Sequence, residues 1–385
     1  MKVLHVNIAI NPKHGGGTAE RVYQMSKHLS QKGIVSAILT LELGLTEDLQ
    51  KTLKSVEITA IPCLWERFFV PEISYKILTK IYNSIKTADI IHLMGHWSLV
   101  NALAYLFIRY LNKPYVFCPA GALIIHGRSK FLKLLYNKLI GNAILTNANV
   151  CIASTKSEIK YFYKCIPKDN IVIIPNGINS NEFILKNDDA FRKKYNIGSN
   201  PFILYMGTFS HIKGTDLLLQ AFNRIKDKYS NYHIVLAGND RGLLNEIKRY
   251  TRKTNIESTV HFIGYIEGID KSYAYNAATI LVVPSRSEVI SMVALEAGST
   301  STPVLLTDKC GFNEITEIEG GLVVEDSVEG LEKGLTVILS DLDKLKKIGK
   351  NISEYVKNTY EWHVIIDKYI KLYHHVLNNT RLNLY

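Results

Sequence analysis

Short apolar runs alternate with segments of helical periodicity along the chain. VLHVNIAI (residues 3–10) precedes a helical pattern over 18–31, and VSAILTLEL (35–43), IIHLM (90–94), YVFCPAG (115–121), VCIAS (150–154) and IVIIPNG (171–177) follow. Runs that are apolar throughout, spaced by helix-length segments, predict parallel strands covered on both faces by helices. A polar, charged stretch over 181–200 then interrupts the pattern. It restarts with FILYMG (202–207), HIVLAG (233–238), VHFIG (260–264), ILVVPS (280–285) and PVLLTD (303–308). The restart predicts an α/β protein of two doubly wound, Rossmann-like domains, with boundaries at 1–185 and 186–360 and a terminal segment 361–385.

Length agrees with this division, since 385 residues exceed what one core usually serves. The opening MKVLHVNIAIN reads as a first strand rather than a signal peptide. The longest apolar stretch, 98–108, is well short of the roughly 20 residues needed to span a bilayer. Five cysteines, odd in number and without a Cys-x-x-Cys pair, fit reduced thiols and a cytoplasmic setting better than disulfides or zinc. The net charge of +11 calls for a negatively charged partner: nucleic acid, anionic lipid or a phosphorylated small molecule. No nucleic-acid-binding module accompanies that charge, so nucleic acid is set aside.

Ligands of open parallel sheets bind beyond the carboxyl ends of the strands, and the candidate chemistry falls there. After Pro284 a loop carries Arg286 and Glu288, and a helix is expected to begin near Ser291. The backbone N–H groups of Ser291, Met292 and Val293 would then offer an anion site, with Glu288 and Glu296 beside it as acceptors for sugar and ribose hydroxyls. Solvated helix-end acids are the competing reading. Upstream, Gly207 permits close backbone approach, and Lys213 lies just before a helix start, where the helix dipole gives a cation no reason to be, which mildly favours an anionic ligand over a solvated charge. Three glycines, Gly15 to Gly17, lie between the first strand and the expected helix at 18, without the Gly-x-Gly-x-x-Gly spacing of dinucleotide sites. Asp341-Leu342-Asp343 spells a metal-binding Asp-x-Asp but lies in a Lys-rich helical segment, and reads as a solvated helix face.

Gly207 with Lys213-Gly214, the Glu288-x7-Glu296 pair, Pro303-Val304 and Gly311 with Asn313-Glu314 resemble retaining glycosyltransferases of family 4. Asp89 to His92, Pro175 to Asn179 and Glu361-Trp362-His363 fit the same order, so the resemblance spans nearly the whole chain. It implies a GT-B fold, two facing Rossmann-like domains with a cleft between them, and a terminal helix returning to the first. By position it implies Lys213 on the donor diphosphate, Glu288 on the transferred sugar, Glu296 on the ribose, Ile263 at the base, and Gly16 with Gly17 closing over the phosphates. The first domain would take the acceptor, with His92, His126 and Arg128 as candidates. Two positions depart from the family: Thr208 stands where an arginine is usual, and Ala120 where a histidine or arginine is frequent. Arg286, His126 or Arg128 would then supply the missing charge.

The resemblance thus implies transfer, with retention, of a hexose-type sugar from a UDP- or GDP-sugar to a glycan or lipid-linked saccharide, without metal or cofactor, in bacterial polysaccharide or lipopolysaccharide synthesis. Alternatives are a catalytically weak nucleotide-sugar-binding protein and a GT-B-like epimerase or hydrolase. GRSKFLKLLYNKLIG (127–141) is basic and amphipathic. It suits either peripheral contact with an anionic membrane at the inner face or burial of its apolar side in the domain.

Overall fold

The computed structural model describes residues 1–123, 129–162, 166–167 and 170–378. Two compact units make up the chain: Met1–Gly177 with Trp362–Tyr385, and Ile178–Glu361. The division falls at Gly177, earlier than residue 185.

In the first unit the strands are β1 (Lys2–Val6), β2 (Val35–Leu41), β3 (Glu57–Ile61), a small antiparallel pair β4 (Cys63–Trp65) and β5 (Val70–Pro71), β6 (Ile90–Met94), β7 (Tyr115–Cys118), β8 (Val150–Ala153) and β9 (Ile171–Ile173). Seven of them form one sheet, ordered β3-β2-β1-β6-β7-β8-β9. Every pairing in it is parallel. Leu4, Val6, Leu39, Ile91, Leu93 and Phe117 face one apolar layer, and Val3, Ile38, Ile90, Val116 and Ile152 the other. Both faces are therefore covered, which explains why the strands read as unbroken apolar runs. The terminal helix Trp362–Asn378 joins the second of these layers through Trp362, Ile365, Ile366, Tyr369 and Leu372.

The second unit repeats the scheme with β10 (Phe202–Met206), β11 (His233–Ala237), β12 (Val260–Gly264), β13 (Ile280–Val283), β14 (Val304–Thr307) and β15 (Gly321–Val324). Their order is β12-β11-β10-β13-β14-β15, again all parallel. In such an order the chain leaves β10 toward one edge and returns to its other side as β13. The connections after these two neighbours run to opposite edges of the sheet, and the strand ends at this switch point are where a ligand can seat.

The first helix runs Pro12–Gln31, six residues longer at its start than the hydrophobic pattern suggests, and is interrupted at Gly16 (φ 58°). Asn11 caps it by accepting from the Lys13 N–H, and Pro12 fits the first helical position. The glycines thus lie inside the first turns, not before the helix. Asp341 of the Asp-x-Asp sequence is likewise an N-cap, accepting from the N–H groups of Asp343 and Lys344 at 3.0 Å each.

Candidate functional site

At the switch point of the second unit, the loop after β10 meets the loop after β13. Lys213 ends a short 3₁₀ turn, His211–Lys213, and Gly214 (φ 69°) breaks into the helix Thr215–Ile225. A Cβ at Gly214 would stand 1.9 Å from the Pro284 carbonyl oxygen, so only glycine lets the two loops approach. Arg286 N–H donates to the Ile212 carbonyl at 2.7 Å, and the Arg286 guanidinium to that of His211 at 2.5 Å. On the opposite flank Glu288 N–H donates to Lys309 O at 2.8 Å and Ser291 N–H to Cys310 O at 3.1 Å. Gly311 (φ 68°) completes this side, since a Cβ there would lie 1.8 Å from Val289 O. The loop over 285–291 is thus fastened to the strand-end loops on both sides of it.

This scaffold brings Lys213 Nζ to 2.8 Å from Glu288 Oε1. Ser285 Oγ donates to the same oxygen at 2.5 Å. Glu288 is only 10% exposed and Lys213 33%, so the pair is shielded yet open on the lysine side. An ammonium has three donors and is not exhausted by one carboxylate. Met292 and Val293 open the helix Met292–Ser299, with their N–H groups in its unpaired first turn. Together these features place one partly exposed cation, one buried carboxylate and the Met292 and Val293 N–H groups beyond the ends of neighbouring strands.

Glu296, on the same helix, is held from the neighbouring helix Ile269–Ala277. The Tyr275 hydroxyl donates to Glu296 Oε2 at 2.5 Å and Lys271 Nζ lies 2.6 Å from that oxygen. Burial, with the Glu296 charge added, holds the Tyr275 hydroxyl protonated well above its ordinary range, so it stays a donor. Gly207 follows β10 with its N–H on Ala237 O at 2.9 Å, and Ile263 is half-buried near the end of β12.

Two of the sequence expectations need correction here. Arg286 is not a spare cation: its fork closes on Asp216, with distances of 2.9 and 2.6 Å, and this pairing raises its pKa above the usual arginine value. It braces the Lys213 loop. Ser291 contributes no free N–H, because Cys310 takes it, and its Oγ caps nothing and is buried without a partner.

In the first unit His92 is a third correction. It lies on β6, fully buried, with Nδ1 2.8 Å from the Tyr373 hydroxyl and its ring among those of His5, Tyr369 and Tyr373. Desolvation pushes its pKa well down. A neutral imidazole enclosed in this way supports the terminal helix and does not reach an acceptor. His126 and Arg128 lie outside the described residues. At Ala120 (φ 51°) and Gly121 (φ 81°) the loop after β7 takes a left-handed course. It is held by the buried Glu158, which accepts from Gly121 N–H at 2.6 Å and Ser154 N–H at 2.7 Å.

The basic helix Lys130–Tyr136, continued by a π turn over Asn137–Gly141, buries none of its first seven residues. Phe131 is 75% and Leu139 73% exposed. Within the first unit only Tyr136 and Ile140 of this segment pack against the core, and Phe131, Leu132, Leu134 and Leu139 remain exposed. No helix of the described residues is long and apolar enough to cross a membrane, and no three His, Cys, Asp or Glu side chains among them converge as metal ligands.

Sequence reasoning missed Asp216, Lys271, Tyr275 and Ser285. For one pair a signal exists: Lys271 and Tyr275 are four apart on one helix face, just beyond the end of β12.

Residues 15–182 match the family described as Glycosyltransferase Family 4, and residues 187–355 the family described as Glycosyl transferases group 1. An O-antigen chain mannosyltransferase of Escherichia coli is 22% identical over 97% of this chain and 98% of its own length. Two uncharacterised glycosyltransferases of Methanocaldococcus jannaschii are each 27% identical; the match takes in 78% of this chain and 90% of one, and 57% of this chain and 57% of the other. Among solved structures, Anabaena HepE in complex with UDP superposes with a TM-score of 0.79 at 15% identity, covering 97% of this chain and 99% of that one. Its complex with UDP-glucose gives 0.76 at 16% identity, covering 99% and 100%. At such identity the likeness speaks for the fold, which is GT-B.

Proposed function

The chain belongs to the group 1, family 4 glycosyltransferases, and on that premise we propose that it moves a hexose-type sugar, with retention, from a UDP- or GDP-sugar to a glycan or lipid-linked saccharide. The observation that carries this reading is the Lys213–Glu288 pair at the switch point of the second unit, beside the first turn of the helix Met292–Ser299. A nucleoside diphosphate needs cationic and N–H donors, and its sugar needs carboxylate acceptors; the crevice holds both within reach of each other.

In this reading the ammonium of Lys213 and the Met292 and Val293 amides neutralise the diphosphate, Glu288 accepts from a hydroxyl of the transferred sugar, and Glu296 from the ribose. Ile263 borders the base, and Gly207 lets the diphosphate approach the backbone. The bond from the anomeric carbon to the leaving phosphate oxygen breaks while the acceptor oxygen bonds to the same face. The departing diphosphate takes the acceptor's proton. Positive charge fixed before the reaction stabilises the charge that grows on the leaving group, and neither metal nor cofactor enters. With Arg286 engaged by Asp216, Lys213 and the helix amides bear this task without it.

The acceptor falls to the first unit, and the exposed Phe131 and Leu139 beside Lys130, Lys133 and Lys138 support peripheral contact with an anionic membrane at its cytoplasmic face. A role in bacterial surface polysaccharide or lipopolysaccharide synthesis accords with this, and the E. coli relative is named for O-antigen chain synthesis. The anomeric configuration of the product, followed by proton NMR from a donor of known configuration, tests the mechanism: retention is expected, and inversion would overturn it.

A further inference from the structure

Glu296 differs from Glu288 in how its carboxylate is held. Oε2 is bound twice, by the Tyr275 hydroxyl at 2.5 Å and by Lys271 Nζ at 2.6 Å, whereas among the described residues no side chain donates to Oε1. Both donors project from one helix, Ile269–Ala277, four residues apart, so they reach the same oxygen from one face. Each is anchored in its turn. Tyr275 is fully buried, with its hydroxyl 3.1 Å from Met206 Sδ and its ring edge-on to Phe183. Lys271 lies over the Phe183 ring at 5.6 Å. A carboxylate with no second contact would rotate about its last bond and lose conformational freedom only on binding a ligand; one fixed at a single oxygen has already lost it.

We infer that Lys271 and Tyr275 are positioning residues, which lock Oε2 of Glu296 and so present Oε1 to the vicinal hydroxyls of a ribose. The inference rests on the reading of this crevice as a nucleotide-sugar donor site. It assigns ribose discrimination to the helix after β12, through residues that do not touch the ribose themselves.

The experiment compares binding of UDP and GDP with that of their 2′-deoxy and 3′-deoxy forms, by calorimetry, to the wild type, Lys271→Met and Tyr275→Phe. Hydrogen bonds from a hydroxyl to a carboxylate carry roughly tenfold or more in affinity, so the wild type should prefer the ribonucleotide by about that factor. Both variants should narrow the preference to under about threefold, chiefly by losing affinity for the ribonucleotide while the deoxy forms bind nearly as before. A general loosening of the fold would weaken all forms alike. Lys271 is partly exposed and Tyr275→Phe removes one oxygen, so at least one variant is expected to keep the wild-type melting temperature. A preference that persists in both folded variants overturns the inference. If the wild type itself binds diphosphates without preferring the ribose, the assignment of Glu296 fails and the inference with it; if it binds neither diphosphate, the donor-site reading fails.

Discussion

Lys213 and Glu288 are separated by 75 positions in sequence and by 2.8 Å in space. They come from the two loops that meet at the switch point of the second sheet, and the Ser285 hydroxyl donates to the same carboxylate oxygen. Removing either partner leaves the other partly buried without its counter-charge, which costs more than the pair contributes. Lys213→Ala and Glu288→Gln should each lower turnover by roughly a hundredfold to a thousandfold. The double variant should lose far less than the product of the two, as steady-state kinetics on all three would show.

Arg286→Ala should behave as a scaffold variant. It releases Asp216 and the His211 carbonyl together, and the Lys213 loop with them. A fall in melting temperature should accompany the fall in activity, and Asp216→Asn should produce a similar fall in both. In a thermal-melt cycle of the two single variants and the double, coupling on the order of 1 kcal/mol or more is expected. Additivity would return Arg286 to the role of an independent cation.

Gly214→Ala and Gly311→Ala should be among the most damaging single-methyl changes in the second unit. Each puts a Cβ within 2 Å of a carbonyl oxygen at a left-handed residue. A loss of about 3 kcal/mol or more is expected, read by urea unfolding. Gly16→Ala has open space around its Cβ, but φ 58° with ψ −144° lies in a region that residues with a side chain avoid, and should cost about 1–3 kcal/mol.

His5 is fully buried with neither ring nitrogen hydrogen-bonded, and desolvation depresses its pKa from 6.5 to about 3. Between those values the unfolded chain binds the proton and the folded one does not, so stability rises with pH. The contribution is complete above pH 6.5 and is lost as pH falls toward 3, on the order of a few kcal/mol in all. Melting temperatures taken from pH 7.5 down to 4 should fall steeply for the wild type and less steeply for His5→Leu.

The helix Lys130–Tyr136 and its continuation should carry the protein onto vesicles containing anionic phospholipid and not onto zwitterionic ones. Flotation should detect this, and Phe131→Ser with Leu139→Ser should abolish it without lowering the melting temperature. Equal flotation with both vesicle types, or none with either, contradicts the assignment.

How far the sequence was legible varied with the range of the interactions involved. Strands such as Ile280–Val283 and Phe202–Met206 were plain because burial on both faces makes their composition uniformly apolar. Lys213, Glu288 and Glu296 were legible because they stand just beyond those strands. The Arg286 partner was not, since Asp216 lies in the first turn of the helix Thr215–Ile225, 70 positions away, and only the fold brings it within reach. Nor was the fate of the Ser291 N–H, which depends on a carbonyl 19 positions away in sequence, that of Cys310. His92 misled for a related reason: in a sheet covered on both faces, a polar strand residue gives no sign of whether it meets solvent or, as here, a helix from the far end of the chain. The edge pair Cys63–Trp65 and Val70–Pro71 has too few residues to produce a period, and went unseen.

The most direct test is to incubate the purified protein with a panel of UDP- and GDP-sugars and to follow nucleotide release, with and without a chelator, beside Glu288→Ala. Release of one nucleotide from its sugar, unaffected by the chelator and lost in the variant, is the result expected. Release that survives in Glu288→Ala, or that the chelator abolishes, would contradict the metal-independent site built around Lys213 and Glu288.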